Sequence, residues 1–90
     1  MMKTTLRPMG KLQATIYDFE QIGDKLPMHT HGEDDVHITI INQGSFKVIT
    51  NNYETVLKTG QIVDWNVGEP HELIALEPNS RFVNIVKGNV

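Results

Sequence analysis

Apolar and polar residues alternate along this chain in short runs, with turn-forming residues between them. Ala14–Phe19 is rich in β-branched and aromatic residues and is followed by Gly23-Asp24 and Pro27. Val36–Asn42 ends at Gln43-Gly44, and Ser45–Thr50 ends at Asn51-Asn52, a dipeptide able to take the positive φ of a tight hairpin. Tyr53–Lys58 pairs back onto it and stops at Thr59-Gly60. Gln61–Trp65, His71–Leu76 and Arg81–Val86 complete the series, separated by Gly68-Glu69-Pro70 and Glu77-Pro78-Asn79. The competing reading is a helix over Leu12–Ile22, where Leu12, Ile16 and Phe19 sit at i, i+4 and i+7. Thr15, Ile16, Tyr17 and Phe19 lose rotamer freedom in a helix, which favours a strand. Seven or eight short strands predict an all-β sandwich or barrel.

The phase of Val36–Asn42 adds detail. One face carries His37, Thr39 and Ile41, the other Val36, Ile38 and Ile40. A small barrel has one interior, so the second apolar face calls for a cover. Two covers are open: a partner subunit, giving a homodimer, or a loop or amino-terminal segment folded over the strand.

Length and composition narrow the classes. Ninety residues suit one domain, taken as 1–90, with one modest core. No cysteine is present, which excludes disulfides, thiolate zinc sites and cysteine nucleophiles. Eight basic against eleven acidic residues give a net charge of -3, so no basic face for nucleic acid is expected. Met1–Gln13 lacks the apolar stretch of a signal peptide. The longest apolar run, Leu73–Leu76, is far short of a membrane span. A soluble, cytoplasmic protein with no membrane or nucleic-acid partner is the expectation.

Three of the four histidines fall between His29 and His37. In an extended chain His29 and His31 project from one face, about 7 Å apart along the backbone, close enough to converge on one ion. Taken alone, such a pair reads equally as two exposed loop histidines. His37 follows an acidic turn, Gly32-Glu33-Asp34-Asp35, and His71 opens a later strand. Antiparallel strands can bring such separated ligands together with fixed directions.

These residues and their spacings resemble the small single-domain cupins. The first cupin motif runs glycine, five residues, His-x-His, three or four residues, glutamate, six residues, glycine. Here Gly23 is followed after five residues by His29-Thr30-His31, after five more by His37, and after six by Gly44. The second motif runs glycine, five residues, Pro-x-Gly, two residues, histidine, three residues, asparagine. Here Gly60, Asn66-Val67-Gly68, His71 and Ala75 keep that spacing, and fifteen residues separate Gly44 from Gly60. The resemblance covers 23–44 and 60–75. Three positions depart from the pattern. Asn66 replaces the proline and Ala75 the asparagine, while the glutamate is replaced by His37 counted back from Gly44, or by Asp35 counted forward from His31.

The resemblance implies a double-stranded β-helix, or jelly-roll, cupin barrel around one divalent transition metal. Its ligands would be His29, His31, His37 and His71, with Asp35 or Glu33 as alternatives to His37. Imidazole suits Fe, Ni, Cu or Zn, and a carboxylate in the set leans toward Mn. An all-histidine set leaves the ion's charge without ligand charge to offset it, which favours an anionic substrate or bound hydroxide. Cupins of this kind include dioxygenases, isomerases and lyases acting on small polar molecules, and also non-catalytic small-ligand-binding modules.

Other residues have two readings each. Tyr17 and Trp65 can edge a pocket or pack in the core. Gln61 and Asp64 can orient a ligand imidazole or lie on a solvated face. Glu33, Asp34 and Asp35 can face solvent or supply a base. Arg81 can clamp a carboxylate at the barrel mouth or sit on the surface, and Glu72 is expected on the face opposite His71.

Overall fold

The computed structural model describes residues 2–29, 38–65 and 68–87. Nine strands form two antiparallel sheets: β1 (Met2–Met9), β2 (Leu12–Phe19), β3 (Lys25–His29), β4 (Ile38–Gln43), β5 (Ser45–Thr50), β6 (Glu54–Lys58), β7 (Ile62–Asp64), β8 (His71–Ala75) and β9 (Ser80–Lys87). The first sheet has the order β1-β2-β9-β4-β7, the second β3-β8-β5-β6. Leu12–Phe19 is a strand, as its β-branched and aromatic content dictates, and no described segment is helical. Accordingly, no helix among the described residues is long and apolar enough to cross a membrane.

Two strands depart from the sequence reading. β1 carries only a thin apolar pattern and contains Pro8, yet it pairs along its length with β2, from Met2↔Phe19 to Met9↔Leu12. β3 contains Pro27, and its pairing with β8 shifts register between Leu26 and His29. Each is an edge strand, where proline's missing N–H costs no ladder bond. The structure also settles the role of the amino-terminal segment: β1 extends the sheet edge and does not fold over β4. Val36 and His37, expected at the start of β4, lie outside the described residues.

Period-2 alternation turns one face of each sheet inward. Phe19 and Phe82 from the first sheet meet Phe46 from the second with ring centroids 5.1–5.4 Å apart, and all three are essentially fully buried. Ile41, Val48, Leu57, Leu73 and Ala75 complete this core. It fills one end of the sandwich. The other end is polar: the row Thr39–Asn84–Thr15 of the first sheet and the row His29–His71–Thr50 of the second lie there. Gly44 joins β4 to β5 at φ 77°, and a Cβ there would stand 2.8 Å from Ser80 Cβ. No side chain fits that corner.

Candidate metal centre

His29 ends the irregular edge strand β3, and His71 begins β8; the register places them directly opposite each other. Their rings meet edge to face, with centroids 4.3 Å apart. His71 is fully buried, while His29 is partly exposed. Each ring is held by a backbone carbonyl two residues upstream: His29 Nδ1 lies 2.7 Å from Pro27 O, and His71 Nδ1 lies 3.1 Å from Glu69 O. A carbonyl oxygen only accepts, so Nδ1 donates its proton in each ring and Nε2 is the nitrogen that can offer a lone pair to a metal. Anchored Nδ1–H with a lone pair on Nε2 is the arrangement of a metal-ligating histidine, so these two residues fit a divalent transition metal. His31 and His37, with the alternatives Glu33 and Asp35, lie outside the described residues. No group of three or more potential ligands assembles among the described residues.

Trp65 walls the site. Its ring stacks on His71 at 4.0 Å with only 8° between planes. Its Nε1–H donates to Thr39 Oγ1 at 2.7 Å, and Thr39 Oγ1–H donates to Asn84 Oδ1 at 2.6 Å. The direction of this chain is forced. Indole can only donate, so the Thr39 hydroxyl accepts from it and spends its own proton on Asn84. Asn84 must therefore present its oxygen to Thr39 and turn the two N–H groups of Nδ2 the other way. Thr39 and Asn84 are 1% and 4% exposed, and Asn84 Nδ2 has no protein partner among the described residues. A buried amide donor without a partner is costly unless water or a ligand accepts from it.

Thr39 and Asn84 escaped the sequence reading as site residues. The signal for Asn84 was its parity: it shares the inward face of β9 with Phe82, a polar residue at a core position. Trp65 combines its two readings: it packs against the core and stacks on His71.

Tyr17, Gln61, Asp64 and Arg81 take the core or surface side of their two readings. Tyr17 packs its ring on Phe82 at 4.9 Å, and burial holds its phenol above the usual pKa of 10.0. Gln61 Oε1 accepts from Lys58 N and closes a turn; Asp64 pairs with Ile38 and so shares its outward face. Neither is placed to orient an imidazole. Arg81 donates to both carboxylate oxygens of Asp18, at 2.6 and 3.3 Å, which holds its guanidinium above its usual pKa. It is therefore a surface ion pair on the end of the sheet away from the histidines. Glu72 faces outward as expected, 3.0 Å from Lys25 Nζ. A cavity of about 510 Å³ opens at that same far end, lined by Met2, Lys3, Asp18, Phe19, Gln43 and Arg81 among others. It holds no histidine and has no part in the site.

No protein-family model matches the sequence, and no curated protein aligns with it. Solved structures do match. KdgF from a Halomonas species superposes with a TM-score of 0.84 at 22% identity, covering 99% of this chain and 82% of its own. A cupin superfamily protein from Desulfitobacterium hafniense gives 0.81 at 12% identity, covering 97% and 77%. An RmlC-like cupin from Desulfovibrio desulfuricans gives 0.81 at 14%, covering 96% and 81%. At these identities the likeness is one of fold: the chain has the double-stranded β-helix of the small cupins.

Proposed function

We propose that this chain is a metal-binding cupin, a metal-dependent enzyme of the dioxygenase, isomerase or lyase type, which takes a small polar molecule into the histidine end of the barrel. One divalent transition metal would be held by His29, His31, His37 and His71. The observation that carries the reading is the pairing of His29 with His71, each with Nδ1 tied to a carbonyl and Nε2 left as the lone-pair nitrogen. Such an ion supplies Lewis acidity toward an oxygen of the ligand.

The protein's own groups define the rest. Trp65 fixes the plane of His71 and closes one wall against water. The Trp65–Thr39–Asn84 chain commits Asn84 Oδ1 to Thr39, so the group Asn84 can offer from the buried face of β9 is Nδ2, a neutral two-proton donor. That donor suits a ligand with a carbonyl, enolate or carboxylate oxygen, and an anionic one would offset the ion's charge, which the all-imidazole set leaves uncompensated.

Elemental analysis of protein prepared without a histidine tag tests the reading. It should find close to one equivalent of a divalent transition metal, and less than about a tenth of an equivalent after metal reconstitution overturns it. Replacing His71 with alanine should abolish binding while the β-type circular dichroism persists; unchanged stoichiometry in that variant overturns the ligand set.

A further inference from the structure

The inward wall of the five-stranded sheet holds two neighbouring polar groups that the protein buries without pairing. Thr39, Asn84, Thr15 and Leu6 form one row across β4, β9, β2 and β1. Thr39, Asn84 and Thr15 are 1%, 4% and 6% exposed. Thr39 Oγ1–H occupies Asn84 Oδ1, and a carboxamide carries its nitrogen on the other side of Cγ from its oxygen. Nδ2 therefore lies away from Thr39. The next residue of the row on that side is Thr15, whose hydroxyl has no hydrogen-bond partner among the described residues. An amide N–H and a hydroxyl are thus buried side by side, each without an acceptor. That is costly unless an oxygen from outside the chain accepts from both.

We propose that Thr15 and Asn84 together hold the carboxylate of a small organic acid. A carboxylate brings two acceptor oxygens to two donors that stand on adjacent strands about 4.8 Å apart. Hydrogen bonds to an ionised acceptor are about twice as strong as neutral ones, which suits donors that have already given up water. Nothing in the neighbouring rows repels an anion: Thr39–Asn84–Thr15, Gln13–Val86 and His29–His71–Thr50 contain no acidic residue. Both donors are neutral, so the carboxylate's charge is offset by the metal centre. On that one point the proposal rests on the metal-binding reading above.

The same row supplies a way in. Leu6 shares the inward face with Thr15, its cross-strand neighbour, yet it is 55% exposed. Exposure therefore falls from 55% to 6% within one strand spacing, which places the rim of the sandwich at Leu6 and the paired donors just inside it. Thr15 and Asn84 act as specificity residues. An acid gains charge-assisted bonds from both, whereas its amide has the same shape, one acceptor oxygen and no charge. The competing occupant is a single buried water, which accepts from the same two donors but does not distinguish acids from amides.

Titration of acetate and acetamide into the isotope-labelled, zinc-loaded full chain tests the proposal by NMR. Acetate should shift the side-chain amide protons of Asn84, slow their exchange with solvent, and bind at least about tenfold tighter than acetamide. Thr15→Val keeps the shape of the side chain and leaves the Trp65–Thr39–Asn84 chain intact; it should weaken acetate binding about tenfold or more. Asn84→Asp still accepts from Thr39 but replaces the donor with an acceptor, and should abolish acetate binding. Both variants should keep the zinc content of the wild type. Acetate that binds Thr15→Val as tightly as the wild type overturns the proposal. So does an Asn84 amide that exchanges slowly from the start and ignores acetate, the behaviour of a site filled by water. A wild type that takes up no zinc is a failure of the metal reading alone. The same titration of the metal-free chain then decides, since a shift of the Asn84 amide with acetate and not with acetamide supports the anchor, and no shift overturns it.

Discussion

Thr39 is the hinge of the polar end of the barrel, and Thr39→Val tests whether the Trp65–Thr39–Asn84 chain holds it in place. Valine has nearly the shape of threonine, so packing changes little, but the hydroxyl both accepts from Trp65 and donates to Asn84. Two hydrogen bonds at about 1 kcal/mol net each are lost, and Asn84 Oδ1, buried at 4% exposure, is stranded at a cost of about 1–3 kcal/mol, partly offset by the greater burial preference of a methyl group. The expected loss is about 2–4 kcal/mol, a large share of a typical small domain's stability. Urea unfolding followed by circular dichroism, with chelator present so that metal linkage does not enter, reads it as a shift in midpoint at constant slope. Thr39→Ser, which keeps the hydroxyl and loses one methyl group, should cost about 1 kcal/mol. A Thr39→Val loss below about 0.5 kcal/mol, or one equal to that of Thr39→Ser, refutes the reasoning. Because Trp65 stacks on His71, Thr39→Val should also weaken metal binding by about tenfold or more, the usual range for groups that orient a ligand.

Three further outcomes follow from the same structure. Gly44→Ala should destabilise by about 2 kcal/mol or more in the same assay, since it meets both the positive-φ penalty and the Ser80 side chain. Tyr17, with its phenol pKa raised in the fold by burial, stays protonated at pH values where the unfolded chain's tyrosine ionises. The folded state then binds more protons, so stability should fall as pH rises through about 10, and Tyr17→Phe should flatten that alkaline decline in urea midpoints measured from pH 8 to 11. Glu72→Gln should change the midpoint by less than about 0.5 kcal/mol, because Lys25 is 55% exposed and the pair is screened.

Most of the fold was legible because alternation and turn chemistry agree wherever a strand has one apolar face. Ser45–Thr50 was read to the residue, and the β2, β6, β7, β8 and β9 boundaries to within two residues. β1 and β3 were hidden for a shared reason: each lies on a sheet edge, carries few apolar residues and contains a proline, so local pattern speaks against a strand that tertiary pairing nonetheless makes. The histidine pair was legible through spacing, and the structure adds what spacing cannot express, the carbonyl that sets each ring's tautomer. Gln61 and Asp64 kept two readings because side-chain direction depends on a short strand's phase, which three residues leave open to sequence reading; both are exposed, so the solvated face is the one realised. Asn84 was passed over because an isolated asparagine in a strand reads as surface until its row partner Thr39 is known.

A crystal structure of the metal-loaded protein bears most directly on the central claim. It should place one ion about 2.0–2.2 Å from Nε2 of both His29 and His71, with Nδ1 of each ring still on the carbonyls of Pro27 and Glu69, and His31 and His37 completing the set. An ion bound through Nδ1, or one that leaves His71 out of its coordination sphere, would contradict the account. A carboxylate oxygen of Asp35 or Glu33 in place of His37 would contradict the all-histidine set.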